Sequence, residues 1–135
     1  MTKPKAAFVR INKDFLLVTS FIRGMIAMTD PDQDFIFNEV DISDLDLGRL
    51  IKEKLNESKE ISFEEFQAIF NSEKMKGLQK NLEEEMKKRY GYKNKKSIYK
   101  DMSFLSLEQD ASFIIIAPLR QDSLGGYSGI SLPDN

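Results

Sequence analysis

Two groups of residues carry the chain's potential for chemistry, and they are opposite in sign. Lys87, Lys88, Arg89, Lys93, Lys95, Lys96 and Lys100 put seven cations into positions 87–100, with Tyr90, Tyr92 and Tyr99 interleaved among them. Cations that hold phosphates beside rings that stack on bases are the ingredients of a nucleic-acid surface, for which Lys88, Arg89, Tyr92, Lys93, Lys95 and Lys96 are the candidate contacts. The second group is acidic. Between Arg23 and Arg49 there is no basic residue, while Asp30, Asp32, Asp34, Glu39, Asp41, Asp44 and Asp46 all fall there. A local field of that sign attracts basic partners and speeds their encounter.

Each group also has a plainer reading. Tyr90, Ile98 and Met102 fall on the apolar faces of two helices, which leaves the lysines on the solvated faces and near helix C-termini, where cations oppose the negative end of the dipole. The formal net charge of −2 favours that reading, because a nucleic-acid binder normally carries a basic balance. For the acidic stretch, Asp44 and Asp46 sit in a first helical turn that carboxylates stabilise, and the others belong to a turn. Solvation and a binding face both remain open there.

The missing side chains narrow the chemistry further. With no cysteine and no histidine there is no thiol nucleophile, no disulfide framework, no neutral-pH proton shuttle and no imidazole metal ligand. Carboxylate, lysine, tyrosine or serine chemistry, or an oxygen-liganded magnesium site, is what an enzyme would have left, and no positive pattern supports one. The expectation is therefore a non-enzyme without metal or cofactor. Asp30, Asp32 and Asp34 match the first three ligand positions of a calcium loop, but Phe35 stands where glycine is required and Asp41 where a bidentate glutamate belongs. The glycines of "SLGGYSG" have no lysine or helix start behind them, so they read as a flexible turn presenting Tyr127, a residue type common at interface anchors.

The elements that must position these groups follow from the apolar periods. At 135 residues, with 41% hydrophobic and 31% charged residues, the chain reads as one domain over 1–135. No apolar run reaches the ~20 residues of a bilayer span and the start lacks a secretory pattern, which predicts a cytoplasmic protein without membrane contact. "AFVRI" and "FLLVTSFI" predict an N-terminal hairpin, and residues 35–40 a further strand. Ser43 predicts the N-cap of a helix with the stripe Leu47, Leu50, Ile51 and Leu55. Ser62 and Glu65 predict a second helix that buries Phe66, Ile69 and Phe70. The spacing Met75, Leu78, Leu82, Met86, Tyr90 predicts a helix from Glu73 ended by Gly91, and Asn94 caps a last short one. "SFLSL" and "SFIIIAP" predict a C-terminal hairpin whose residues 113–117 form a central buried strand stopped by Pro118, with loop and edge beyond. The sum is α+β: a largely antiparallel sheet of two hairpins with three to four helices packed on one side.

Three quoted stretches carry a resemblance. "YGYKNKKSIYKDM", preceded by "VDISDLDLGRLIKEKLNES" and followed by "SFIIIAPLRQDSLGGYSGISLP", resembles the CdiI family of immunity proteins of contact-dependent growth inhibition systems, over most of the chain. Longer family members are expected to continue past the "LP" with another helix. The resemblance implies a 1:1 complex with the C-terminal toxin domain of a cognate CdiA protein, itself a nuclease of the RNase or tRNase kind, neutralised by occlusion. In that light Asp30, Asp32, Asp34, Glu39, Asp41, Asp44 and Asp46 become the expected toxin-binding face, with Tyr127 as an anchor. The basic run then becomes a scaffold feature, and no direct contact with nucleic acid is expected.

Overall fold

The computed structural model describes residues 4–111, 113–123 and 126–129. β1 (Lys5–Ile11) and β2 (Leu16–Arg23) form the expected hairpin, with Val9 opposite Val18. Asn12 shapes its turn, the side-chain oxygen accepting from the amides of Asp14 and Phe15 at 2.8 and 3.0 Å. The chain turns at Gly24, and β3 (Ala27–Thr29) pairs back on the outer edge of β2. β4 (Phe37–Asn38) pairs with the start of β2, so the strand expected over 35–40 is only two residues long. Further along β2 a side chain takes over: Gln33 accepts the Ser20 amide at 2.8 Å and donates to the Ser20 carbonyl at 2.9 Å, a carbonyl that also accepts the amide of Asp30 at 3.0 Å.

Capping decides the helices. α1 (Asp44–Glu57) starts at Ser43, whose Oγ accepts from the amide of Asp46 at 3.1 Å. After β5 (Lys59–Glu60), Ser62 caps α2 (Phe63–Phe70). The single helix expected from Glu73 is two, α3 (Glu73–Lys76) and α4 (Leu78–Tyr90), separated at Gly77. Gly91, at φ 73°, supplies the left-handed residue that ends α4. Asn94 and Ser97 form a reciprocal capping box on α5 (Lys95–Tyr99). Among the described residues no helix is long and apolar enough to cross a membrane.

β6 (Ser103–Asp110), β7 (Phe113–Ser123) and β8 (Gly126–Gly129) complete a sheet of order β3-β2-β1-β6-β7-β8, to which β4 and β5 add at β2. Every pairing is antiparallel except that of β5 with β2. The two hairpins meet where β1 pairs with β6, and the helices fill the crossover between them. The α+β class and the single domain are as the sequence predicts.

The helices occupy both faces rather than one. Residues alternate across each strand, so Ala7, Val9, Leu16, Val18 and Leu107 turn to one face, where Leu55 and the flanking stripe of α1 cover them. Phe8, Leu17 and Phe104 turn to the other, under Leu82 and Met86 of α4 and Ile98 and Tyr99 of α5. Each fully buried leucine- or phenylalanine-sized side chain contributes about 1.5–3 kcal/mol, so both layers are needed.

Two burial expectations are corrected. Phe113, Ile114, Ile115 and Ile116 are exposed instead of central: neither packed layer includes them, and β8 pairs with β7 only from Leu119 onward, which leaves this stretch at the edge of the sheet. β7 also runs on through Pro118, which lies just outside the ladder that β8 begins at Leu119. Phe70 is exposed too, with only Phe66 of α2 fully packed. Of the loop and edge expected beyond Pro118, the edge is β8, the outermost strand of the sheet, while β7 continues as strand to Ser123; residues 130–135 lie outside the described ones.

Candidate functional site

The seven acidic residues of 30–46 divide into those used internally and those offered to solvent. Asp30 is buried. One of its carboxylate oxygens accepts the amide of Asp32 at 2.9 Å, and the other lies 3.8 Å from Lys59. Asp32 is exposed but engaged by Lys74 at 2.7 Å, and that hydrogen bond with its charge holds the carboxyl below its ordinary range. Asp34, Glu39, Asp41, Asp44 and Asp46 all stand in solvent. Arg49 approaches Asp46 only to 3.9 Å.

The loop under these carboxylates is built from side chains. Besides clamping Ser20, the Gln33 amide donates to the carbonyl of Asp30 at 2.8 Å. Lys54, on the inner side of α1 and 4% exposed, donates from Nζ to the carbonyl of Asp34 at 3.0 Å and pairs with Glu57 at 3.3 Å. Ser20, fully buried, donates its hydroxyl to the carbonyl of Lys54. Strand, loop and helix are therefore locked through Ser20, Gln33 and Lys54, and a locked loop loses little freedom on binding.

Between the acids lie apolar side chains that face water: Ile36 is 54% exposed, Val40 41% and Leu45 66%. The sequence reading passed over them. Leu45 carried a signal, since it is off the 47, 50, 51, 55 stripe of its own helix. Ile36 alternates with Phe35 and Phe37, whose rings turn inward toward the core. Those two rings, with Leu78 and Leu82, line a groove of about 320 Å³ between the loop and α4. Arg89 caps it, its guanidinium 5.1 Å from the Phe37 ring centre and its Nε 2.6 Å from Glu85.

The tyrosines of the basic run are drawn into the scaffold, while all seven of its cations stay exposed. Tyr90 stacks on Phe15 at 5.1 Å and meets Phe37 edge-on at 6.2 Å. The Tyr92 hydroxyl donates to Asp14 at 2.6 Å and accepts from Asn12 at 2.9 Å. Burial and that carboxylate push the Tyr92 phenol up to about 12. Tyr99, 3% exposed, donates to Glu83 at 2.6 Å, and burial followed by this bond also raises its phenol. Lys95 lies 3.8 Å from the same carboxylate. Lys88, Lys93 and Lys96 are exposed. Tyr127 belongs by its backbone to β8, opposite Gln121, rather than to a turn. Among the described residues no three carboxylates gather as a cation site.

This architecture has counterparts. A Neisseria meningitidis protein of unknown function, NMB0488, superposes with a TM-score of 0.86 at 19% identity, covering 96% of this chain and 83% of its own. A CdiA-CT/CdiI toxin and immunity complex from Yersinia pseudotuberculosis contains a chain that superposes at 0.82 with 24% identity, over 97% and 82% of the respective chains. In sequence, the immunity protein CdiI-YPIII of Yersinia pseudotuberculosis serotype O:3 (strain YPIII) is 25% identical over 146 aligned positions, 98% of this chain and 81% of that protein. The family described as "CdiI: CDI immunity protein" matches residues 5–135, and with nearly the whole chain inside that match, this protein belongs to the CDI immunity protein family.

Proposed function

We propose that this chain binds the C-terminal toxin domain of a cognate CdiA protein one-to-one in the cytoplasm, and neutralises it by occlusion rather than by chemistry. The toxin is a nuclease of the RNase or tRNase kind. One observation carries the assignment of the surface: on a loop pinned by Gln33 and Lys54, and on the first turn of α1 that follows it, exposed carboxylates are interspersed with exposed large apolar side chains, Asp34, Ile36, Glu39, Val40 and Asp41 on the loop and Asp44, Leu45 and Asp46 on the helix. Apolar contact supplies affinity once water is excluded, and carboxylates steer a partner whose own surface is built to hold phosphates. Family membership and the toxin complex formed by the Yersinia relative support the reading. Asp30 and Asp32 act on this face indirectly, by shaping the loop, and Tyr127 in β8 remains a candidate anchor outside it.

Direct nucleic-acid binding through Lys88, Arg89, Tyr92, Lys93, Lys95 and Lys96 has less support. Arg89, Tyr92 and Lys95 already serve Glu85, Asp14 and Glu83.

The deciding experiment is stopped-flow association with the toxin domain encoded beside this protein, for the wild type and for Asp34→Lys, Glu39→Lys and Asp41→Lys combined. These three are exposed and lie outside the helix turn that Asp44 and Asp46 stabilise. Association at low salt should slow about tenfold or more and converge with wild type near 1 M salt, where the Debye length shrinks to about 3 Å. Equal rates at low salt would remove this face from the interface.

A further inference from the structure

A second exposed apolar cluster lies where the β2–β3 turn meets α2. The geometry points to this cluster as the apolar half of the toxin footprint, fitting a protein surface that presents an apolar protrusion ringed by lysine or arginine. The inference rests on the reading of the acidic loop as a toxin face.

The cluster is built around one close approach. Phe63, Phe66 and Phe70 share a stripe of α2 at i, i+3 and i+7. Phe66, 6% exposed, is pressed against Gly24, where a Cβ would come within 2.7 Å of its Cβ and Cγ. Phe70 stacks on Phe66 with ring centres 5.7 Å apart and remains 51% exposed, and Phe63 is 56% exposed. On the turn side, the amide of Gly24 donates to the carbonyl of Ile26 at 3.1 Å, which projects Met25 and Ile26 at 66% and 57% exposure. Two phenylalanines, a methionine and an isoleucine are thus held in water around a rigid pivot. Soluble chains seldom leave such a group uncovered, and its aromatic and methionine content is that of an interface centre.

Charge identifies the occupant. Glu64 and Glu65 stand exposed beside the ridge. The nearby cations are engaged elsewhere: Arg23, beside Gly24, pairs with Glu108, Lys59, before α2, reaches Asp30 at 3.8 Å, and Lys74, after it, reaches Asp32 at 2.7 Å. The rim is therefore acidic and complements a basic partner. A second copy of this chain would instead oppose carboxylate to carboxylate. The two lysine ion pairs tie β5 and α3, the elements on either side of α2, to the loop that carries Asp30 and Asp32.

The test compares Phe63→Ala plus Phe70→Ala with wild type, using the toxin domain encoded beside this protein. Both rings are more than half exposed, so the melting temperature should hold within a few degrees while toxin dissociation accelerates at least tenfold and association changes little. Unchanged dissociation from the variant, with tight wild-type binding, would overturn the ridge and leave the acidic face standing. Failure of the wild type to bind the toxin would overturn both. Light scattering adds an independent outcome: a wild-type dimer that the double variant converts to monomer would give the ridge to a second copy and overturn its assignment to the toxin.

Discussion

Tyr92 reaches across 78 residues of chain to donate its hydroxyl to Asp14 at 2.6 Å, joining the turn after α4 to the turn of the first hairpin. Asn12 completes the contact by donating to the same hydroxyl while its own oxygen holds the hairpin turn. A residue that reads as a base-stacking platform is therefore a tie between the first and last thirds of the fold.

Replacing Tyr92 with phenylalanine keeps the ring and removes the tie, so Asp14 and Asn12 both lose a partner. The expected cost is about 1–2 kcal/mol at neutral pH, read from urea unfolding. The alkaline limb carries a second signature. The phenol is held up to about 12 in the fold and titrates near 10 when unfolded. The folded state thus retains a proton that the unfolded state releases. Its stabilisation is complete below pH 10 and is lost as pH rises through 12. Wild type should lose stability across that window, and Tyr92→Phe should show a shallower fall, with Tyr90 and Tyr99 supplying the remainder.

Gln33 is the second long reach, a side chain doing the work of a strand. Ser20 is fully buried and its amide donates to Gln33. Gln33→Ala would leave that donor without its partner, at a cost of about 1–3 kcal/mol. Hydrogen exchange gives the sharper readout, because the Ser20 and Asp32 amides should lose protection together as the loop loosens. The acidic face would then be displayed on a mobile segment, and toxin association should slow although no exposed charge has changed. Retained protection at both amides would mean that the loop is held by Lys54 and its ion pair alone.

What the sequence made legible is mostly what short-range rules decide. Ser43, Ser62, Asn94 and Gly91 each mark a helix end by local hydrogen bonding or by a left-handed φ, and all four stand where the sequence places them. Gly77 was hidden because Met75, Leu78 and Leu82 keep one apolar stripe running across the break. The two-sided packing was hidden because a continuously apolar strand such as β2 shows that both faces are buried without showing which helix covers which. At the candidate site, acidity was visible but orientation was not. Asp30 and Asp34 have the same side chain, and it is long-range contacts of Asp30, its amide on Ser20 and its carboxylate beside Lys59, together with the Asp32 amide and Gln33, that keep the first one inside. Phe70 was obscured for a related reason, since it shares the apolar stripe of Phe66 and a stripe does not show where the surface that covers it ends.

β7 offers the cleanest contrast between composition and position. "FIIIA" has the makeup of a core strand, yet Ile115 is 50% exposed, whereas Leu107 on the neighbouring strand is 1% exposed beneath α1. Pattern alone ranks Ile115 as the more costly site to alter, and the structure reverses that order. Ile115→Thr keeps β-branching and removes little buried area, so its effect should stay within about 0.5 kcal/mol. Leu107→Ala opens a cavity under a helix and should cost about 2–5 kcal/mol. Denaturant midpoints of the two variants measured side by side decide the matter. An Ile115→Thr loss comparable to that of Leu107→Ala would mean that this stretch of β7 is covered in solution, and the outer half of the C-terminal hairpin would have to be counted as core.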